Sequence, residues 1–236
     1  MEIKKKEFVK FLSKIRMEGK EMITECLMNF DKIGLKITVT CPTGSTRVSG
    51  TLFRDAFVNY DAIGNVGLND FDKVIKILDN FNDTINIELD GNLLCFKEGM
   101  KKVEIEVVDE GYITKEKPDP ILQHDGKVSI SPAVMNGIIK DVKINKDFKI
   151  VFSTVNDMLF VTNTGKYKFT TNITASGIKD RIKVSVGQPF VDAIANLTDD
   201  YEMSIKTEYP ILIEEVSENS QIKIIIAPMV QEEDVD

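Results

Sequence analysis

The sequence predicts an α+β chain of two similar domains, each with two helices packed on antiparallel sheets. Its 236 residues are enough for two domains of ordinary size. Four segments have the 3.6-residue period of amphipathic helices, and more numerous stretches of period two lie between and after them. The first helix of each half starts near residues 5 and 131, and the second near residues 70 and 188. Because no residue-level repeat accompanies this order, the repeat is one of architecture.

Each predicted helix has one apolar face. The helices cover about residues 5–16, 70–81, 131–142 and 189–197. The first shows the pattern most clearly, because Phe8, Phe11, Leu12 and Ile15 recur at i, i+3, i+4 and i+7. The third opens with Ser131-Pro132, a capping residue followed by proline at the first helical position.

Three of the four helices carry lysines opposite the apolar stripe. They are Lys6, Lys10 and Lys14 in the first helix, Lys73 and Lys76 in the second, and Lys140 in the third. On a single helix such a face is an ordinary solvated surface. Its recurrence on three helices favours a shared basic surface, and in either case we expect these lysines to be solvated.

The strands are predicted from alternation and from short apolar runs. Apolar residues alternate with polar ones at 85–89, 103–107 and 182–186. Residues 148–152 and 222–226 are more continuously apolar and predict more buried strands. Residues 110–126 are rich in proline, glycine and acidic residues, which is typical of a connector. We therefore predict an N-terminal domain at 1–109, a connecting loop at 110–126, a C-terminal domain at 127–230 and an acidic disordered tail at 231–236.

Charge and composition exclude several classes of function. The net charge is −8, which argues against tight binding of nucleic acid by the chain as a whole. No apolar run is long enough to span a membrane, and the charged N-terminus predicts no secretory signal. Three scattered cysteines fit a reducing compartment and argue against a disulfide framework.

Catalytic chemistry is not predicted either. His124 is the only histidine, so no pair of histidines exists for a metal site or for catalysis. It lies in the connector, where we expect a solvated loop residue. Thr164-Gly165-Lys166 lacks the upstream glycine and the following hydroxyl residue of a phosphate-binding loop, and no CxxC spacing suggests zinc. We predict no enzyme, no catalytic residue, no metal and no cofactor.

Several segments occur in an order that is typical of one family. Residues 209–215, Tyr-Pro-Ile-Leu-Ile-Glu-Glu, are followed after a turn by the strand that ends in Ala227-Pro228. Residues 64–69, Gly-Asn-Val-Gly-Leu-Asn, lead into the second helix, and residues 34–38, Gly-Leu-Lys-Ile-Thr, follow the first. In this order the chain resembles the PCNA-type sliding clamps, the ring-shaped DNA polymerase processivity factors. Residues 40–45 depart from the family's usual Met-Asp-x-x-x-Val, and the fourth helix lacks the basic residues that are often found on that face. Both departures, with a composition rich in lysine, isoleucine and asparagine, suggest an archaeal or viral clamp rather than a eukaryotic one.

The resemblance implies a function. The chain would adopt the DNA clamp fold, form a homotrimeric closed ring, encircle duplex DNA without sequence specificity and tether DNA polymerase. It would be loaded by a clamp loader and would also bind a flap nuclease and a ligase through short peptide motifs, without a membrane partner. Its place would be the cytoplasm of an archaeal cell or an infected host, or the nucleus of a eukaryote.

The resemblance also implies three sets of residues. The DNA-facing set is the six lysines named above, Lys6, Lys10, Lys14, Lys73, Lys76 and Lys140. The partner-peptide pocket comprises Ile121, Leu122, Pro210, Ala227, Pro228 and Thr40. The subunit interface pairs an edge at residues 102–108, with Val103, Ile105 and Val107, with an edge at residues 167–173, with Tyr167, Phe169 and Ile173.

Two alternatives stay open at this point. One is a clamp-like protein that binds partners or DNA without closing a ring, and the mass in solution would separate it from a ring. The other is a metal-dependent hydrolase built on clustered carboxylates at strand ends.

Overall fold

The computed structural model describes residues 1–19, 22–114, 116–145, 149–175 and 178–229. The predicted acidic tail at 231–236 lies outside these ranges, as does Phe148. Within them the chain forms four helices, α1 (Lys5–Arg16), α2 (Phe71–Leu78), α3 (Pro132–Val142) and α4 (Gln188–Ile194). The four predicted helices are therefore confirmed.

The helix boundaries have local causes. The Asp70 carboxylate accepts a hydrogen bond from the Lys73 N–H, and the Ser131 hydroxyl accepts one from the Val134 N–H, so both residues cap the helix that follows. α2 ends three residues earlier than predicted, where the Asn80 side-chain amide donates to the carbonyls of Lys76 and Ile77. The predicted helix was too long because Phe81, an apolar residue beyond Leu78, continues the helical period although it lies outside the helix.

Nine strands belong to the first half of the chain. They are β1 (Glu2–Lys4), β2 (Cys26–Phe30), β3 (Gly34–Thr40), β4 (Thr46–Phe53), β5 (Phe57–Val58), β6 (Gly64–Leu68), β7 (Thr84–Asp90), β8 (Leu93–Glu98) and β9 (Lys101–Glu106). The eight strands of the second half are β10 (Gly126–Ile130), β11 (Lys149–Val155), β12 (Met158–Thr164), β13 (Phe169–Thr174), β14 (Lys183–Val186), β15 (Tyr201–Ile205), β16 (Ile211–Val216) and β17 (Ser220–Ile226).

A strand precedes the first helix of each half, which the sequence analysis did not predict. β1 has only three residues and one apolar side chain, Ile3, which is fully buried. β10 begins inside the predicted connector, and its Val128 and Ile130 point into the core. Both strands are too short for alternation alone to identify them.

The strands form three antiparallel sheets, and one of them joins the two halves. The eight-stranded sheet has the order β10-β15-β16-β17-β4-β3-β2-β6. Its seam is the pairing of β17 with β4, from Ser220 opposite Leu52 to Ile226 opposite Thr46. The other two sheets have the orders β5-β1-β7-β8-β9 and β13-β12-β11-β14. The predicted α+β class with antiparallel sheets is confirmed.

Helices α1 and α4 pack over this seam on one face of the shared sheet. The apolar stripe of α1 is buried as predicted. Gly50 of β4 lies under α1, where a Cβ atom would come within 2.4 Å of Ile15 Cδ1, so the absence of a side chain permits the close approach. Side chains alternate along a strand, so Arg47, three residues away, points to the opposite face.

Candidate functional site

Five of the six lysines that were predicted to face DNA are exposed: Lys6, Lys10, Lys73, Lys76 and Lys140. Two of them have carboxylate partners. Lys10 Nζ lies 2.9 Å from Asp199 Oδ2, and Lys76 Nζ lies 2.5 Å from Asp72 Oδ2. Both lysines keep substantial exposure, at 44% and 71% of the side chain. For these five the prediction of a solvated side chain is confirmed, and contact with DNA stays a prediction.

Lys14 is the exception, and its predicted solvation is wrong. Its side chain is 2% exposed and lies 2.9 Å from Glu215 Oε2 and 3.2 Å from Asp199 Oδ2. Glu215 belongs to β16 of the second half, so packing of the two halves buries a lysine that periodicity along α1 places on the polar side. Lys14 is therefore not available for contact with DNA.

Asp199 holds both Lys10 and Lys14 at the junction of the halves. Partial burial raises the pKa of Asp199, but the hydrogen bonds and positive charges of the two lysines outweigh it and leave the pKa well below its usual range. The Asn196 side-chain amide adds a hydrogen bond to the Ser13 carbonyl, 2.9 Å away. Polar contacts as well as the shared sheet therefore fix the halves against each other.

The predicted subunit-interface residues lie on or beside two outermost strands. β9 ends the five-stranded sheet and carries Val103 and Ile105, while Val107 follows it. β13 ends the four-stranded sheet and carries Phe169 and Ile173, while Tyr167 precedes it. Each strand has one hydrogen-bonding edge without a neighbouring strand in these sheets, which is the arrangement that strand addition requires. The pairing of the two edges between copies stays a prediction.

The predicted pocket residues of the sheet lie at the same end of four neighbouring strands, β16, β17, β4 and β3. Thr40 at the end of β3 pairs with Arg47, the neighbouring Thr46 pairs with Ile226, and Ile226 pairs with Ile211. Pro210 comes immediately before this row, and Ala227 and Pro228 come immediately after it. The sheet thus brings Thr40, Pro210, Ala227 and Pro228 together, on elements far apart in sequence.

The connector residues differ in exposure. Ile121 is 92% exposed, whereas Leu122 is half-buried. Of the two apolar residues nearer its start, Ile113 is buried, whereas Tyr112 is 82% exposed. Because the Ile121 side chain is almost fully exposed, it does not contribute to the packing of the fold.

The expectation that His124 is a solvated loop residue is wrong. Its ring is half-buried, its Nε2 atom lies 2.9 Å from the Pro210 carbonyl oxygen, and its ring meets that of Tyr209 edge-on at 5.7 Å. A carbonyl oxygen only accepts, so Nε2–H is the donor. His124 therefore fastens the end of the connector beside the predicted pocket.

An ion network that the sequence analysis missed fastens the middle of the connector. Arg47 donates from Nε to Asp119 Oδ1 at 2.9 Å and from Nη1 to Glu116 Oε2 at 2.6 Å. Lys223 of β17 reaches the other Asp119 oxygen, also at 2.9 Å. Partial burial raises the pKa of Asp119, but the bonds and charges of Lys223 and Arg47 outweigh it and lower the pKa. These charges were visible in the sequence, but nothing local pairs residues separated by 69 to 104 positions.

A cavity of about 640 Å³ lies under the first part of the connector. Its lining is mixed and includes Leu27, Thr38, Thr40, Arg47, Ile113 and Glu116. Of the six predicted pocket residues, Thr40 alone lines it. Arg47 and Glu116 thus belong both to the lining of this cavity and to the ion network that fastens the connector.

Comparisons with known proteins identify the fold. No protein-family model and no curated protein sequence matches the chain. Solved structures match it over nearly its whole length. A. fulgidus PCNA, solved with the C-terminal region of FEN-1 bound, superposes with a TM-score of 0.86 at 16% identity, covering 98% of both chains.

The chain has the PCNA clamp fold. Entamoeba histolytica PCNA matches it with a TM-score of 0.82 at 17% identity, covering 97% of this chain and 98% of the other. A PCNA2–PCNA3 complex from Sulfolobus tokodaii matches with a TM-score of 0.79 at 17% identity, covering 98% and 100%. At such identities the agreement is one of fold, and it confirms the DNA clamp fold that the sequence resemblance implied.

Two further observations concern this PCNA fold. In the ranges that the structure describes, no group of three or more histidine, cysteine, aspartate or glutamate side chains is arranged to hold a metal ion. The described helices are all too short or too polar to cross a membrane.

Proposed function

We propose that this chain is the subunit of a sliding clamp, a closed ring that encircles duplex DNA and tethers DNA polymerase and other replication and repair enzymes. The observation that carries the proposal is the PCNA clamp fold over 98% of the chain, together with an open strand edge in each half. The role is topological, because a bound polymerase stays at a high effective concentration near the primer end. It requires no catalytic group and no cofactor.

The ring is a head-to-tail homotrimer in this proposal. Addition of β13 of one copy to β9 of the next satisfies both open edges, and the six-domain ring that the family resemblance implies takes three chains of two halves each. Three chains of 26.6 kDa give a ring of about 80 kDa. The S. tokodaii structure is a complex of two different PCNA chains. A ring of identical copies must therefore be tested on the purified chain alone, without a second kind of subunit.

The inner surface of the ring is the helical face. Lys6, Lys10, Lys73, Lys76 and Lys140 are exposed there and meet the phosphates through solvated, salt-screened contacts. Such contacts are weak enough to permit sliding. The net charge of −8 then repels DNA from the outer surface and leaves the hole attractive.

Partner peptides dock on the opposite face, where the connector crosses the sheet. The A. fulgidus PCNA structure contains the C-terminal region of FEN-1. In this chain the corresponding proposal uses Ile121 and Leu122 of the connector with Thr40, Pro210, Ala227 and Pro228 of the sheet edge. Polymerase, clamp loader, flap nuclease and ligase are the expected partners.

A threading experiment tests the topological role without a clamp loader. The chain is incubated with linear duplex DNA that is blocked at one end, the free end is then blocked, and the complex is challenged with high salt. We expect retention when both ends are blocked and release when one end is reopened, because a ring leaves DNA only over an end. Light scattering should give about 80 kDa on the same sample.

Release that does not depend on the ends would overturn the encircling role. A mass that stays at 26.6 kDa across micromolar concentrations would instead indicate a clamp-like protein that does not close a ring. A plasmid that was circular throughout is the matched control, since it offers no free end over which a closed ring could thread.

A further inference from the structure

The segment before β13 presents a tyrosine to solvent on a rigid backbone. Asn145 is 5% exposed and holds the Tyr167 backbone from both sides, donating from Nδ2 to its carbonyl at 2.9 Å and accepting from its N–H at 3.0 Å. Gly165 packs against the same asparagine, and a Cβ there would come within 2.6 Å of Asn145 Cγ. The Tyr167 side chain is nevertheless 51% exposed. A buried polar side chain therefore holds the backbone of a tyrosine whose ring the fold does not bury.

The surroundings of this tyrosine are basic. Lys166 and Lys168 flank it, and the Lys166 ammonium lies 5.7 Å from the centre of its ring. Neither lysine forms an ion pair within the part of the chain that the structure describes. The segment is thus an aromatic side chain between two available positive charges.

A groove of about 520 Å³ lies between α2 and the end of β9 in the other half of the chain. Its apolar surface comes from Ile77, Ile105 and Val107, all half-buried. Its acidic residues include Glu104, Glu106 and Asp109, and Lys73 lies on the α2 wall. Apolar side chains with an excess of carboxylates complement the aromatic and basic segment around Tyr167 in both polarity and charge.

The strand order places these two features side by side when two copies meet. Every strand pair among the described residues is antiparallel. If β13 of one copy also pairs in the antiparallel direction with the open edge of β9 in the next copy, the start of β13 lies opposite the end of β9. Tyr167 precedes β13 by two residues and the groove flanks the end of β9, so the tyrosine would reach the groove.

We propose that Tyr167 is the anchor of the contact between copies, and that it fills the groove between α2 and β9 of the next copy. Lys166 and Lys168 then face the carboxylates at Glu104 and Glu106. This inference rests on the proposed ring and names what would hold it together. Because Asn145 already holds the Tyr167 backbone, docking orders little besides the side chain itself, and a small loss of conformational entropy favours a strong anchor.

The first test is truncation of the tyrosine. Tyr167→Ala should raise the dissociation constant of the assembly at least about 30-fold, the effect of an anchor residue in an interface. Tyr167→Phe should change it much less, and Ile33→Ala, at an exposed site away from both edges, should leave it unchanged. Sedimentation equilibrium gives the constants, and thermal melting of the dissociated variant verifies that it folds.

The second test reverses the charges. Lys166→Glu with Lys168→Glu should dissociate the assembly, and so should Glu104→Lys with Glu106→Lys. All four changes in one chain restore opposite charges across the contact and should restore assembly. Failure of this rescue, with each pair dissociating alone, would show that the groove is not the counterpart of Tyr167.

The outcomes separate this inference from the proposed function. A wild-type assembly that Tyr167→Ala leaves equally tight would overturn the anchor while the ring stands. A wild-type chain that stays monomeric would overturn the ring and the anchor with it. End-dependent retention of wild type on DNA combined with dissociation of Tyr167→Ala supports both.

Discussion

Lys14 Nζ of α1 lies 2.9 Å from Glu215 Oε2 of β16, and the two side chains are 2% and 1% exposed. The other Glu215 oxygen accepts hydrogen bonds from the backbone N–H groups of Thr198 and Asp199. The pair thus links a helix of the first half to a strand of the second half where the two halves share a sheet. A buried ion pair of this kind tolerates the loss of one partner poorly.

The first prediction follows from that pair. Lys14→Met fills similar volume but leaves the Glu215 carboxylate without its counter-charge in a buried place. We expect the free energy of unfolding to fall by about 3 kcal/mol. Urea unfolding followed by circular dichroism measures it, with Lys6→Met on the exposed part of α1 as the matched control.

The control should stay within about 0.5 kcal/mol of wild type, as exposed substitutions do. Equal unfolding midpoints for Lys14→Met and wild type would mean that the pair contributes nothing to the junction. Replacing Lys14 with methionine and Glu215 with glutamine together should restore part of the lost stability, since the uncompensated charge is removed.

The second prediction concerns the basic helical face. Changing Lys6, Lys76 and Lys140 to alanine should leave the mass of the assembly and the melting temperature unchanged, because all three side chains are exposed and none of them lines the groove between α2 and β9. The triple variant should dissociate faster from end-blocked DNA, and its rate should depend less on salt, since fewer phosphate contacts remain. A variant with Lys97, Lys127 and Lys179 changed, at exposed or half-exposed sites on other elements, is the comparison. Equal retention of both triple variants would mean that the helical lysines are only a solvated surface.

The lysines also show how far sequence reasoning reaches. Periodicity along a helix separates its apolar stripe from its polar side, and it placed Phe8, Phe11, Leu12 and Ile15 correctly in the core. It does not show what else packs against the polar side. Lys14 is buried by a strand about 200 residues away in the chain, and only the tertiary structure brings that strand close.

In the candidate docking surface too, some residues could be identified from the sequence and others only from the tertiary structure. The proline and alanine residues just before β16 and after β17 were assigned to the pocket from the family resemblance, which short local segments of the sequence carry. The network around Arg47 was not, since an arginine in an alternating strand reads as an ordinary exposed residue. His124 was misjudged for a related reason, because the composition of a loop does not reveal which carbonyl its side chain meets.

The third prediction tests the network around Arg47. Arg47→Ala removes the guanidinium that joins Glu116 and Asp119 to the sheet, so the middle of the connector should detach. Amide hydrogen exchange should quicken at residues 116–119 and at Thr40, whose N–H donates to Glu116 Oε1. Lys36→Ala, on the same face of β3 but paired with Asp31, is the control. Unchanged exchange at 116–119 in Arg47→Ala would show that the connector is held by other contacts.

The last prediction concerns the connector as a docking element. Ile121 is almost fully exposed in an otherwise polar loop, whereas Leu122 is half-buried beside it. An exposed aliphatic side chain adds nothing to the stability of the fold, so a binding role accounts for it best. Ile121→Ala should weaken a partner peptide by about 1–2 kcal/mol, roughly tenfold, without changing the melting temperature. Leu122→Ala should weaken binding similarly but also lower the melting temperature slightly, because part of its side chain already packs on the protein.

The measurement is calorimetric titration with the C-terminal peptide of the host's own flap nuclease or polymerase, alongside thermal melting of each variant. Ile33→Ala is the control, since Ile33 is also exposed but lies in the turn before β3. Because His124 is the only histidine and contacts the Pro210 carbonyl, its imidazole resonances report directly on the edge of the pocket. They should shift when the peptide binds to wild type and move much less with Ile121→Ala at the same peptide concentration. Tight binding by Ile121→Ala with an unmoved His124 signal would place the docking site elsewhere, and the cavity lined by Leu27, Thr38 and Ile113 would be the next surface to test.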